Sequence, residues 1–215
     1  ALVLEAGATA IGSLGKALNN IAKVDAADTT VTQSSFSFTA AATVGPNNLN
    51  DDKNITWTAY RGDAGTNPGN YNSGIRLYQA GSGKAYGGYV VVEAKNNNKI
   101  KSITVTQTGT YATTYKTKVD DGAISSASSI AKSGSFTLSS LTATSVTIYN
   151  AGTTSSTRME IASISVTYSS GSTSGYTLSF DANGGSGSQD DLTSETSGTF
   201  TLPATTTFNA PEGKA

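Results

Sequence analysis

Between Ser34 and Tyr168 apolar residues fall at every second position in short runs, and each run is cut off by a cluster of Gly, Asn, Pro or Ser. That period puts successive side chains on opposite faces of an extended chain, the mark of half-buried β-strands joined by tight turns. Helical spacing of apolar residues is absent across the region. Parallel strands need crossovers of about a dozen residues, usually helical. The sheets are therefore expected to be antiparallel and stacked as an all-β sandwich, with strands near 35–40, 55–60, 75–79, 87–95, 99–108, 114–119, 134–139, 144–149 and 158–168. A content of 33 Thr and 29 Ser beside 23 Gly favours such strands and turns over helices.

One motif occurs twice. Ile100-Lys101-Ser102-Ile103-Thr104-Val105-Thr106 and Ile161-Ala162-Ser163-Ile164-Ser165-Val166-Thr167 share Ile-x-Ser-Ile-x-Val-Thr. The first Ile stands three positions before the second, which reverses its face unless one residue is absorbed by a bulge. A bulge or bend is predicted in both strands.

The residues 1–33 that precede this region admit two readings. Ala1 to Leu14 is an apolar stretch without an initiator Met, and Val24 and Ala26 are small residues placed as before a cleavage point, which fits the remnant of a secretory signal in a longer reading frame. Alternatively, Ile11, Leu14, Leu18 and Ile21 recur at helical spacing, interrupted by Gly7, Gly12 and Gly15. No apolar run approaches the roughly 20 residues of a membrane span. After Tyr168, Ser169 to Gly175 reads as a flexible Gly/Ser linker. The expected divisions are thus 1–33, a sandwich over 34–168, a linker over 169–175 and a further unit over 176–215.

Composition removes whole classes of chemistry. Lys and Arg number 14 against 15 Asp and Glu, a formal net charge of -1, which excludes a basic nucleic-acid reader. With no His and no Cys the chain has no imidazole base, no disulfide and no zinc or copper site of ordinary ligand type. No cofactor and no metal is expected. Gly81-Ser82-Gly83-Lys84 lacks the leading glycine of a phosphate loop and is followed by Ala85, so it reads as a hairpin loop. Asp51-Asp52, Asp120-Asp121 and Asp190-Asp191 read as turn residues. Glu93 and Glu160 are the strand-borne acids that invite comparison with a glycosidase pair. Alternation sends Glu160 outward, to a solvated face.

Sugar binding needs aromatic surface for pyranose rings and planar polar groups for their hydroxyls. In the strand over 55–60, Ile55, Trp57 and Ala59 form the apolar face, so Trp57 is read as core and Tyr60 points outward. In the strand over 75–79, Ile75 and Leu77 point inward and Arg76 and Tyr78 outward. Tyr60, Arg61, Arg76 and Tyr78 are expected to share a face, with Tyr71 and Tyr86 on adjoining loops. The plain alternative is that these tyrosines are ordinary cross-strand pairs.

Two resemblances extend the reading. Gly74 to Gln79, the paired Ile-x-Ser-Ile-x-Val-Thr strands, Lys118 to Gly122 and Val146 to Tyr168 resemble the jelly-roll-like sandwich modules appended to secreted bacterial hydrolases and surface proteins. Tyr176 to Gly185, Thr201 to Pro203 and Pro211 to Gly213 resemble the opening of a Listeria/Bacteroides repeat of the internalin B type, truncated here before its closing part, in which Asn183-Gly184-Gly185 makes a turn. The first implies a carbohydrate-binding-like or adhesive module. The second implies a β-grasp-like repeat in a secreted or wall-attached protein. Together they imply a non-catalytic extracellular module with a glycan or cell-surface polysaccharide as partner. A structural spacer, or an accessory domain of a secreted hydrolase, stands as the alternative.

Overall fold

The computed structural model describes residues 3–4, 18–24, 27–109, 111–169, 175–180, 186–188, 190–194 and 200–201. The chain divides into two compact units, Ala1–Ala27 with Ser172–Ala215, and Asp28–Gly171. In chain order the strands are β1 (Val3–Leu4), β2 (Leu18–Val24), β3 (Asp28–Gln33), β4 (Thr43–Leu49), β5 (Asp52–Tyr60), β6 (Gly69–Tyr71), β7 (Gly74–Leu77), β8 (Tyr89–Ala94) and β9 (Lys99–Gln107). They continue with β10 (Thr113–Val119), β11 (Ser128–Ile130), β12 (Ser135–Leu138), β13 (Ser145–Asn150), β14 (Met159–Ser169), β15 (Gly175–Phe180), β16 (Leu192–Ser194) and β17 (Phe200–Thr201). No helix occurs among the described residues.

The larger unit is an antiparallel β-sandwich of two 6-stranded sheets. The first runs β11-β10-β13-β8-β5-β4; the second runs β12-β9-β14-β7-β6, with β3 also on β14. Ile55, Trp57, Ala59, Val90, Val92, Val146 and Ile148 face inward from the first sheet and meet Ile75, Leu77, Ile100, Ile103, Val105, Ile161, Ile164 and Val166 of the second. Trp57 lies in this core as expected, with Phe36 and Phe38 edge-on against its ring at 5.3 and 5.8 Å.

Both bulges are present. The two Ile-x-Ser-Ile-x-Val-Thr strands are β9 and β14, and they pair with each other. Ile161 faces Gln107 and Ser163 faces Thr106, leaving Ala162 as the extra residue; Tyr168 faces Ile100 and Thr167 faces Ser102, leaving Lys101. Each extra residue restores the phase, so Ile100, Ile103, Ile161 and Ile164 are all fully buried. The turns follow the residue chemistry: Asn50-Asp51, Asn72-Ser73 and Asn96-Asn97 each have two positive φ values, as tight hairpins require.

Three expectations need correction. Residues 35–40 form no strand. Phe36 is buried against Trp57, but its backbone bonds to loop groups, its N–H to Ser73 O and its carbonyl to the Asn70 amide. The sandwich instead starts with β3 at Asp28, before the expected position 34, because β3 completes an open stretch of β14. A further strand, β4, is masked in the sequence by its Gly45-Pro46 pair, which an edge strand tolerates because Pro has no ladder donor to offer. Leu18 to Val24 is a strand on β15 and not a helix; pairing overrides the helical spacing of Leu18 and Ile21. In the smaller unit β15 also pairs with β16, and Leu178 is buried. Ile11 and Leu14 of the alternative helix, Ala26 of the cleavage point, most of the Gly/Ser linker, the turn at Asn183 to Gly185, and Pro211 to Gly213 lie outside the described residues.

The loop after β10 is pinned by one carboxylate. Asp120 Oδ1 accepts from Thr144 N, Thr144 Oγ1 and Ser145 N at 2.8, 2.7 and 2.9 Å. Partial burial pushes its pKa up, but these hydrogen bonds and Lys99 outweigh it and hold the group below the usual aspartate value. Such a contribution is complete above about pH 4, the unfolded aspartate value, and is lost as the pH falls through the depressed folded value. Asp120→Asn keeps the acceptor oxygen and tolerates the positive φ, so it removes only the charge. It is expected to cost about 1 kcal/mol at pH 7, and no more, because solvent screens a group this open. Urea unfolding at pH 7 and pH 2.5 checks this; the gap between variant and wild type should shrink at the lower pH.

Candidate functional site

The six residues singled out in the sequence do not share a face. Tyr60 ends β5 in the first sheet, whereas Arg76 sits on β7 in the second with Tyr71 on β6. Both point outward, so they lie on opposite sides of the sandwich. Two clusters result, each completed by residues the sequence reading passes over.

On the first sheet Tyr60 faces Tyr89 and Tyr89 faces Tyr149 across β5, β8 and β13. Tyr86, from the loop before β8, closes the row. Successive ring centroids lie 4.9, 5.2 and 4.4 Å apart, with interplanar angles of 22°, 45° and 48°. The inner rings turn their faces toward their neighbours. Tyr149 is buried within the row, Tyr89 is half-buried, and only Tyr60 and Tyr86, at its two ends, keep a face not covered by another tyrosine. Burial raises the Tyr89 pKa, and Tyr60, Tyr149, Tyr86 and Asp63 add to the shift; burial and then Tyr86 raise that of Tyr149. These phenols stay protonated at neutral pH and keep their donor hydrogens.

Glycine makes room for the row. A Cβ on Gly62, whose φ is +54°, would come 2.9 Å from the Tyr89 ring. Arg61 is exposed and its backbone N–H bonds Ala42 O. Asp63 and Lys84 form a loose, exposed ion pair at 3.9 Å beside the row. Gly81 to Lys84 is a turn, closed by Lys84 N to Gly81 O at 3.0 Å, but not the hairpin expected: β7 and β8 on either side of it belong to different sheets, so it lies in the connection that crosses between the layers.

On the second sheet Arg76 and Glu160 are direct cross-strand neighbours. Arg76 Nε and Nη2 both donate to Glu160 Oε1, at 2.7 and 2.5 Å, and Thr108 Oγ1 donates to Oε2 at 3.1 Å. The Tyr71 ring lies flat against Arg76, with Cζ 3.4 Å from its centroid. Glu160 does point outward, but its side chain is only 2% exposed, because Arg76 and its neighbours cover it. The solvated reading is overturned. Burial opposes the charge on Arg76, yet bonding to Glu160, Tyr78 and Tyr71 holds its pKa above the ordinary arginine value.

Tyr78 belongs to the same side. Arg158 stands with its Cζ 5.4 Å from the Tyr78 ring centroid and 5.5 Å from that of Tyr111. Beyond this cluster the outer face of the second sheet is paved with hydroxyls that bond one another, Thr30 with Thr167, Thr32 with Ser165 and Thr104 with Thr137 at 2.8, 2.7 and 2.8 Å. Those groups are spent on the sheet itself.

Glu93 belongs to the outer face of the first sheet, paired with Lys95 at 3.0 Å. It is separated from Glu160 by the thickness of the sandwich, and a glycosidase pair must stand within about 9.5 Å across one cleft. Among the described residues no group of three or more His, Cys, Asp and Glu stands together, and no helix is long and apolar enough to cross a membrane.

No protein-family model matches the chain, and no curated protein matches it. Among solved structures it is similar to the family 32 carbohydrate-binding module of C. perfringens NanJ, described in complex with galactose. The identity is 14%, the TM-score 0.33, and the match covers 65% of this chain and 93% of that one.

Proposed function

We propose that this chain is a non-catalytic binding module of an extracellular or surface-attached protein, and that it captures glycans through the tyrosine row on the first sheet. The row itself carries the reading. Four tyrosines converge at one end of a sheet face, and the two terminal rings each keep a face that no other tyrosine covers. A pyranose ring stacks its C–H face on Tyr60 or Tyr86, and the half-buried Tyr89 beside Tyr60 supplies a donor for a sugar hydroxyl. The 176–215 segment, with its resemblance to a surface-protein repeat, supports the extracellular setting, and several such modules in one protein would raise a weak affinity.

The spacer alternative loses support from the connections of the sandwich. Asp28 at its start faces Ser169 at its end in the β3–β14 ladder. Antiparallel partners lie about 5 Å apart, so the unit adds almost nothing to the reach of a chain that passes through it.

The test is a titration of the full chain against a panel of neutral oligosaccharides by calorimetry, repeated with Tyr60→Ala and Tyr86→Ala. Each variant is expected to weaken binding tenfold or more, about 1.4 kcal/mol or above, as for an exposed aromatic anchor. Thermal unfolding of both variants separates lost contact from lost fold. Undiminished binding in two folded variants would sink the assignment.

A further inference from the structure

The second cluster holds two guanidiniums and one carboxylate, and the three are not equivalent. Arg76 is closed: it is bonded twice to Glu160, covered by Tyr71, and its side chain is 13% exposed. Glu160 is spent on Arg76 and Thr108. Arg158 has no ion-pair partner among the described residues. Its one side-chain hydrogen bond among them runs from Nη1 to the Tyr111 hydroxyl at 3.3 Å. Its Nε is buried without a partner, while the residue as a whole is only half-buried.

A guanidinium held beside two aromatic rings loses water on its flanks and keeps its charge. Its Nη1 and Nη2 hydrogens not spent on Tyr111 make a fork that a planar, two-oxygen acceptor fits better than any neutral group. The local charge is one unit positive on a chain that is otherwise near neutral. Thr153, Thr154, Ser155 and Ser156, which closely precede Arg158, are all exposed and give the loop that leads into it a rim of hydroxyls.

We propose that Arg158, set between Tyr78 and Tyr111, is a second binding site that takes the carboxylate of an acidic sugar such as a uronate. The site stands on the face opposite the tyrosine row and does not depend on it. Carboxylate recognition comes from the guanidinium fork, and the ring of the same sugar unit is received by the Tyr78 and Tyr111 side chains and the Thr/Ser rim.

The experiment titrates the full chain with oligogalacturonate, with the same oligomer fully methyl-esterified, and with a sulfated neutral oligosaccharide, followed by calorimetry and by NMR shifts. Oligogalacturonate is expected to bind at least tenfold more tightly than its ester, with affinity falling as salt rises. Arg158→Gln should reduce that binding tenfold or more. Tyr111→Phe, which removes only the hydroxyl bonded to Arg158, should weaken it severalfold without moving the unfolding temperature. Lys132→Gln removes an equal charge from an exposed loop and should change nothing. Equal binding of acid and ester, tighter binding of the sulfated oligomer, or an equal loss in Lys132→Gln and Arg158→Gln would each overturn the proposal.

Discussion

Arg76→Met is expected to destabilise the sandwich by about 3–5 kcal/mol, because it strands a buried carboxylate without its counter-charge. Glu160 is 2% exposed, and both its ion pair and one of its two hydrogen-bonding partners come from Arg76. The variant leaves Thr108 as the only donor, so Glu160 should escape the penalty by binding a proton. The sign follows. A carboxyl whose folded pKa is raised above its unfolded value of about 4.3 destabilises as the pH climbs through that interval. Arg76→Met should therefore be closest to wild type at pH 4 and fall away toward pH 7. Removing both charges, Arg76→Met with Glu160→Met, should recover most of the loss, since a buried pair contributes little over well-packed apolar groups. Urea unfolding of the two single variants and the double variant measures this directly. A single-variant loss below about 1 kcal/mol would mean that water reaches Glu160 in solution.

Asn150→Ala should be about as damaging, near 4 kcal/mol, through orphaned partners and not through lost volume. Asn150 is fully buried. Its amide nitrogen donates to Leu77 O and Thr157 O at 3.0 and 2.9 Å, and its oxygen accepts from Gly152 N and Thr113 Oγ1 at 3.0 and 2.9 Å. Leu77 belongs to the second sheet and Asn150 to the first, so one side chain ties the sheets together at the end that carries both clusters. It also fixes the start and finish of the loop that leads to Arg158. Alanine takes this partner from Leu77 O and Gly152 N and leaves Thr113 Oγ1 and Thr157 O with the bond between them, and Asn150→Asp trades the two donated bonds for a repelled charge. Guanidinium unfolding compares the three chains; a loss under about 1 kcal/mol in Asn150→Ala would show that ordered water replaces the amide.

Much of the fold is legible in the sequence because period-2 alternation and turn chemistry are local. The two bulges are the clearest case: a three-residue interval between isoleucines in a strand leaves no other way to bury both. Outward placement is legible too, for Tyr60, Arg76, Tyr78 and even Glu160. What alternation cannot convey is which sheet a strand joins. Nearness in sequence groups Tyr60 with Arg76, but the chain crosses between layers after β5. Nor does alternation say what covers an outward residue, so it leaves Glu160 in solvent where Arg76 in fact lies over it. Tyr89 and Tyr149 carry a usable signal, each flanking a buried Val90 or Ile148 at a strand end, and pairing those two strands with β5 would complete the row.

The ladder between β3 and β14 bears on how the module meets tension. A pull transmitted to Asp28 and Ser169 acts on one rung, so it would part these strands one pair at a time, like a zipper, instead of shearing six pairs at once. Loaded at that rung, the unit would yield at a lower force than a sheared sandwich and would release chain as it opened.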